Sequence, residues 1–262
     1  MLNTIADAAL KVMGAVELAA YRDRKSRGRA VPGKLERGFH YLDDRVAGYA
    51  KFGPVEAVQR NEYLQNLIVP EADLLATVER VLGDADIRNI LLDRFGTPFS
   101  LDYFVFNRTL SIPAEKSSEG HYANLWHIDT LLTENCVKLF ILPHAISADE
   151  GPLEFFDSNA TAQIRKSGFR RGLLPAEASQ GHASNRFTGA ISRAALVQPR
   201  LCLHRAGVPV AGRHREQMMF QLNPSPRWRY AKDLFARQSE REITLPSVNS
   251  LFRAQKVMTF AN

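Results

Sequence analysis

The hydrophobic period of this chain changes after Pro98, and that change limits the fold more than any other feature. Before it, apolar residues recur every three or four positions; after it, short runs rich in aromatic and β-branched residues follow one another. The first spacing puts apolar side chains on one face of a helix, and the second composition belongs to strands. Helices followed by a run of strands make an α+β domain in which the helices lie against a β sandwich or a closed double sheet. At 262 residues the chain is long enough to bury a sizeable core as one domain. The expected organisation is a single domain over 1–262, with a mostly helical part over 1–97 and a β core over 98–262.

Four helical stripes are expected in the first part. Leu2, Ile5, Ala9, Val12, Val16 and Ala19 share one face, followed by the basic run Arg22, Arg24, Lys25, Arg27 and Arg29. An amphipathic helix beside a basic cluster can lie on an anionic membrane, but the commoner arrangement docks it on its own domain with the charges solvated. Leu35, Phe39, Leu42 and Val46 make a second stripe, ended near Gly53 and Pro54. Leu74, Leu75, Val78, Val81 and Leu82 make a third, with Gly83 as its stop. Ile87, Ile90, Leu91 and Phe95 make a fourth, closed by Gly96.

The strands are expected at 103–106, 110–112, 137–142, 153–156, 195–197, 200–203 and 216–222. In the last, Met218, Phe220 and Leu222 alternate with Gln217, Met219 and Gln221, so one face packs and the other is polar. Residues 157–193 are polar and Gly-rich and read as a long loop or lid with little regular structure, a common location for function.

Composition narrows the class. Hydrophobic residues are 45% and charged residues 24%, an ordinary globular balance. No apolar run reaches the roughly 20 residues that span a bilayer. No basic residue precedes the first apolar stretch, which Lys11 and Glu17 interrupt, so it does not read as a secretory signal. Cys136 and Cys202 lie in apolar runs and read as buried thiols of a cytoplasmic protein. The net charge of +6 would attract acidic substrates or a polyanionic surface, but the commoner meaning of such an excess is solubility, with the charge spread over the surface, and no motif points to nucleic acid.

The chemistry is carried by His127-Ile128-Asp129 and by His204, 77 residues after His127. On a strand, residues two apart share a face, so His127 and Asp129 can reach one metal while Ile128 points away. With His204 from a strand end they form a 2-His-1-carboxylate set, which holds divalent iron on one face and leaves three positions open. Arg215, eleven residues after His204, has a planar fork suited to the far carboxylate of a 2-oxo acid. Arg213 is the fallback on the same strand face. Lys138, in mid-strand, either points inward and binds a carboxylate or extends to solvent. Asn107 and Tyr122 lead into the set and are candidates to line a substrate pocket. Trp126 points opposite to His127 and reads as core. His121, His144, His182 and His214 lack ligand spacing.

The stretches WHID at 126–129, KLFILPHAISADEGPLEFF at 138–156 and LHRAGVPVAGRHR at 203–215 resemble the phytanoyl-CoA dioxygenase-like branch of the iron(II)/2-oxoglutarate oxygenases. The resemblance covers Tyr103 to Leu222. It implies a double-stranded β-helix, a cupin-like jelly roll, with supporting N-terminal helices. It implies metal ligands at His127, Asp129 and His204 and a 2-oxoglutarate anchor at Arg215. The implied reaction consumes 2-oxoglutarate and O2, releases succinate and CO2, and oxidises a C–H bond of a small molecule. Related halogenases replace the carboxylate ligand by a small residue, so Asp129 favours hydroxylation. Two positions depart from the family. Phe156-Asp157-Ser158-Asn159 stands where Pro-Gly-Ser-His is common after Gly-Pro-Leu, and Ala206 stands where some members use a serine on the co-substrate. The basic residues of 157–193 suggest an anionic substrate. Two other readings remain at this point: a cupin-like metalloenzyme that does not use 2-oxoglutarate, and a non-catalytic binding protein on the same fold. The first has no need of a buried Arg215, and the second has no need of an intact ligand set.

Overall fold

The computed structural model describes residues 35–43, 55–130, 132 and 135–230. Within them, two sheets face each other. The larger has the order β1-β8-β5-β10-β4-β3-β2, with β11 pairing parallel to β4; the smaller has the order β7-β6-β9. The large sheet contains β1 (Phe39–Leu42), β2 (Glu56–Asn61), β3 (Leu64–Ile68), β4 (Phe99–Leu110), β5 (Val137–Ile141), β8 (Ala194–Val197), β10 (His214–Pro224) and β11 (Arg229–Tyr230). The small sheet contains β6 (Leu153–Phe155), β7 (Asn185–Phe187) and β9 (His204–Ala206). Four helices accompany them: α1 (Glu71–Gly83), α2 (Ala85–Phe95), α3 (Ser158–Lys166) and α4 (Ala176–Ser179). This is a double-stranded β-helix with helices on its outer faces: the change of period implies helices against a double sheet, and the resemblance implies the β-helix itself.

Alternation along β10 sets the layers. Met218, Phe220 and Leu222 face outward into one core with Leu74, Val78 and Leu91 of α1 and α2. Met219 faces inward, packing with Phe140, Val197, Phe155 and Phe187 from both sheets. Phe39 meets Phe155 edge-on at 4.9 Å and Tyr41 stacks on Phe187 at 5.9 Å, so aromatic pairs bridge the sheets at one edge. A third cluster lies outside the small sheet, where Ile164 of α3 covers Trp126, Phe156 and Leu203. The local signals for α1 and α2 agree with their packing. Asp84 caps α2 by accepting from the backbone N–H groups of Asp86 and Ile87, and Gly96 ends it in a left-handed conformation with φ 68°.

Several expectations need correction. The stripe Leu35, Phe39, Leu42 reads as helical but forms a turn and β1, because Phe39–Leu42 pair antiparallel with β8. Val46 of that stripe, the first helix and the basic run lie outside the described residues. The hairpin β2–β3 extends the large sheet, so 1–97 is not mostly helical in its described part. The strand expected at 103–106 is part of the longer β4, which ends at Leu110, so Ser111 and Ile112 of the strand expected at 110–112 lie beyond it. Arg200–Leu203 form a turn ahead of β9, with Leu201 and Cys202 N–H donating to the Gln198 carbonyl. The 157–193 segment is not an irregular lid: it holds α3, α4 and β7, and α3 is part of the packed wall. Asp157, at one departure from the family pattern, caps α3 by accepting from Ala160 N–H. Cys136 and Cys202 are buried and unpaired. No described helix is long and apolar enough to cross a membrane.

Candidate metal centre

His127 and His204 oppose each other across an isolated antiparallel bridge. His127 N–H donates to the His204 carbonyl at 3.0 Å, and His204 N–H donates back at 2.9 Å. Residues 126–129 are thus a short bridged strip rather than a full strand. Its alternation still holds: Trp126 and Ile128 pack outward under α3, so His127 and Asp129 face the interior. Asp129 N–H donates to the Pro199 carbonyl at 3.0 Å, which ties the far end of the strip to the turn before His204.

The three side chains converge. Asp129 Oδ1 lies 3.6 Å from His127 Nε2 and 3.9 Å from His204 Nε2. One donor atom from each residue lies within 4.8 Å of the other two, and among the described residues no other group of three His, Cys, Asp or Glu meets that test. Adjacent ligands at about 2.1 Å from a shared ion stand about 3 Å apart. The two measured separations therefore need to close by less than about 1 Å.

Protonation suits a metal as well. His127 Nδ1 lies 2.7 Å from the Leu125 carbonyl, and His204 Nδ1 lies 2.8 Å from the Cys202 carbonyl. A carbonyl only accepts, so each Nδ1 carries the proton and each Nε2 turns a lone pair toward Asp129. Burial holds His127 below the usual histidine range and pushes His204 down to about 4. Burial opposes ionisation of Asp129, but Lys138 and His204 outweigh it and bring its carboxyl down to about 2. Two neutral imidazoles and one carboxylate are the state that binds a divalent ion.

Lys138 and Arg215 both point inward. Lys138 sits in β5 opposite Gln221 of β10 and Val197 of β8. Its Nζ lies 2.5 Å from Asp129 Oδ2. Burial works against its charge, but Asp129 more than compensates and raises it above the ordinary lysine value. Arg215 is 3% exposed, opposite Thr109 of β4. Its Nη1 donates to the Gly151 carbonyl at 2.7 Å, while its buried Nε–H has no acceptor. Among the described residues it pairs with no carboxylate. The Nε–Nη2 edge is left to take an anion in two parallel bonds.

The remaining sequence candidates fall in different places. Arg213 is exposed in the turn before β10, so it does not share the strand face of Arg215. Asn107 lies on β4 opposite Gln217, on the inward face shared with Val105, and its buried Oδ1 has no partner. Tyr122 donates its hydroxyl to the Leu110 carbonyl at 3.3 Å. Burial pushes its phenol up to about 12 against the pull of Arg215. Ala206 pairs with Leu153 within the small sheet.

Some contributors had no sequence signal. The carbonyls of Leu125, Cys202 and Gly151 orient His127, His204 and Arg215, and a carbonyl acceptor leaves no mark in residue type. Gly151 could be suspected from its place before Pro152. It has φ 66°, and a Cβ there would meet the backbone of Gly207–Pro209 well inside contact distance. Arg171 acts on His127 electrostatically from the segment that Gly172 pins to Trp126.

No protein-family model matches this chain, and no curated protein matches it. Among solved structures, EctD from S. alaskensis with bound Fe is similar with a TM-score of 0.50 at 13% identity, over 81% of this chain and 84% of that one. The non-heme alpha-ketoglutarate-dependent epimerase SnoN from nogalamycin biosynthesis gives a TM-score of 0.48 at 13% identity, over 76% and 81%. HygX from Streptomyces hygroscopicus, with nickel, 2-oxoglutarate and hygromycin B bound, gives 0.46 at 12% identity, over 73% and 85%. At such identities the likeness to EctD is one of fold, the cupin-like jelly roll already described.

Proposed function

We propose that this protein is an iron(II)/2-oxoglutarate-dependent oxygenase that hydroxylates a small molecule. The observation that carries the reading is the convergence of His127 Nε2, His204 Nε2 and Asp129 Oδ1 in the interior of the double-stranded β-helix, with both imidazoles fixed in the ligating tautomer. His127, Asp129 and His204 would hold the iron. The similar fold of EctD is one that carries Fe.

Hydroxylation of one C–H bond supplies two of the four electrons that O2 takes up, and decarboxylation of a 2-oxo acid supplies the other two. Arg215 supports 2-oxoglutarate: a buried guanidinium with an unmatched Nε–H costs stability unless an anion arrives to use it. Tyr122 shares that end of the barrel with Arg215. When bound, iron and 2-oxoglutarate supply the oxidation of a C–H bond, with succinate and CO2 released. The chain's own part is to hold the ligand set, to keep Asp129 ionised through Lys138, and to seat the far carboxylate on Arg215.

Three further readings rest on the same site. The motifs at 126–129, 138–156 and 203–215 favour the phytanoyl-CoA dioxygenase-like branch. Arg171, within electrostatic reach of His127, favours an anionic substrate. Two buried thiols without a disulfide suit a cytoplasmic location.

The test is anaerobic addition of iron(II) and 2-oxoglutarate. A weak visible charge-transfer band that needs both additions is expected. Succinate release should then be screened over acids, amino acids and acyl thioesters. A protein that binds iron but gives no band, and releases no succinate, would leave 2-oxoglutarate out of the reaction.

A further inference from the structure

We propose that Lys138 is a positioning residue for the metal centre: it holds Oδ2 of Asp129, so that Oδ1 alone is offered to the ion. This rests on the metal-centre reading above and goes beyond keeping Asp129 ionised: it assigns the two carboxylate oxygens separate partners.

The position of Lys138 is fixed from both sides. Its strand pairs with β10 at Gln221 and with β8 at Val197, and its neighbours Val137 and Leu139 are packed under the helices. An ammonium on the inner face of a sheet needs a carboxylate. Among the described residues the one within ion-pair distance is Asp129, at 2.5 Å through Oδ2. The other oxygen, Oδ1, is the one facing both histidine Nε2 atoms. The two oxygens of one carboxylate therefore have separate partners, and a charge-assisted bond on Oδ2 opposes its rotation onto the ion.

The number of open positions depends on that separation. Three ligands that each give one atom leave three positions on a six-coordinate ion, enough for a chelating 2-oxo acid and for oxygen. A carboxylate binding through both oxygens leaves two. Lys138 also sets a positive charge near a divalent cation, which weakens metal binding. Removing it should therefore tighten the metal or leave it unchanged while closing a position. A residue that only supported the fold would weaken metal binding when removed.

Manganese(II) tests this without turnover, since its bound waters are counted by the relaxation of solvent protons. Wild type should show about three waters per bound ion. Lys138→Met and Lys138→Gln should bind manganese as tightly or up to about tenfold tighter, with relaxation enhancement lower by about one third. Lys138→Arg should restore the wild-type value. An unchanged enhancement in both neutral variants, or a change seen only after 2-oxoglutarate is added, would overturn the proposal; the second result would put Lys138 on the co-substrate. Should the neutral variants not fold, a wild-type crystal with manganese decides: Asp129 bound through Oδ1 with Lys138 on Oδ2 supports the assignment, and either two bound oxygens or a displaced Lys138 refutes it. A wild-type protein that binds neither manganese nor iron sinks the metal-centre reading itself.

Discussion

Replacing Arg215 by methionine should separate stability from function. The guanidinium is 3% exposed, donates one bond to Gly151 and has an unmatched Nε–H. Burial brings it down from the usual guanidinium range to about 10. At 1.36 kcal/mol per pKa unit, that is about 3 kcal/mol against keeping the charge inside. Methionine removes this cost and fills similar volume, at the loss of one hydrogen bond to Gly151, about 1 kcal/mol. The ligand-free variant should therefore melt no lower than wild type. Co-substrate binding should move the other way. Losing one side of a buried charge pair costs about 3–5 kcal/mol, or roughly two to three and a half decades in 2-oxoglutarate affinity. Arg215→Lys should recover only part, because a point charge cannot reproduce the fork. Arg213→Ala should change affinity less than about threefold, since Arg213 is exposed in the preceding turn. The assays are thermal unfolding without ligands and titration of 2-oxoglutarate at fixed iron(II). A clear loss of stability with affinity intact would show that Arg215 is structural, and a large loss in Arg213→Ala alone would move the anchor.

Alanine at His127, Asp129 or His204 should each sharply weaken iron binding, measured by calorimetry; a variant that keeps wild-type affinity removes that residue from the ligand set. Asp129→Gly should lose hydroxylation and open a position for chloride, read as a chloride-dependent shift of the cobalt(II) spectrum; unchanged hydroxylation would exclude Asp129 as a ligand. The metal-free protein should lose stability as the pH falls from about 6.5 to about 4. The unfolded chain takes up a proton on His204 near 6.5, whereas the folded one does so only near 4. That difference is about 3 kcal/mol, visible in urea unfolding at several pH values, and His204→Gln should flatten that part of the profile. Gly151→Ala should cost more than about 2 kcal/mol, because its left-handed backbone and the chain at Gly207–Pro209 both exclude a Cβ; an unchanged melting temperature would contradict the packing of those two turns.

The sequence by itself determined which residues share a face. The period of α1 and α2, their end signals, and the alternation of Met218, Phe220 and Leu222 against Gln217 and Met219 are local properties, and they survive in the structure. Alternation also placed His127 and Asp129 together and turned Trp126 away, although the strip around them is held by bridges. Partners across the chain are another matter. The spacing of Leu35, Phe39 and Leu42 fits a helix and an edge strand equally, and the choice fell to β1 through pairing with β8, more than 150 residues away. Likewise β10 lies between β4 and β5, a register that no local pattern encodes. Only that assembly brought Lys138 to Asp129, left Arg215 with one carbonyl partner, and aimed both imidazoles through backbone carbonyls. Side-chain periodicity records the face a residue presents; which group meets it there is fixed by non-local pairing and burial, and these exist only in the folded chain.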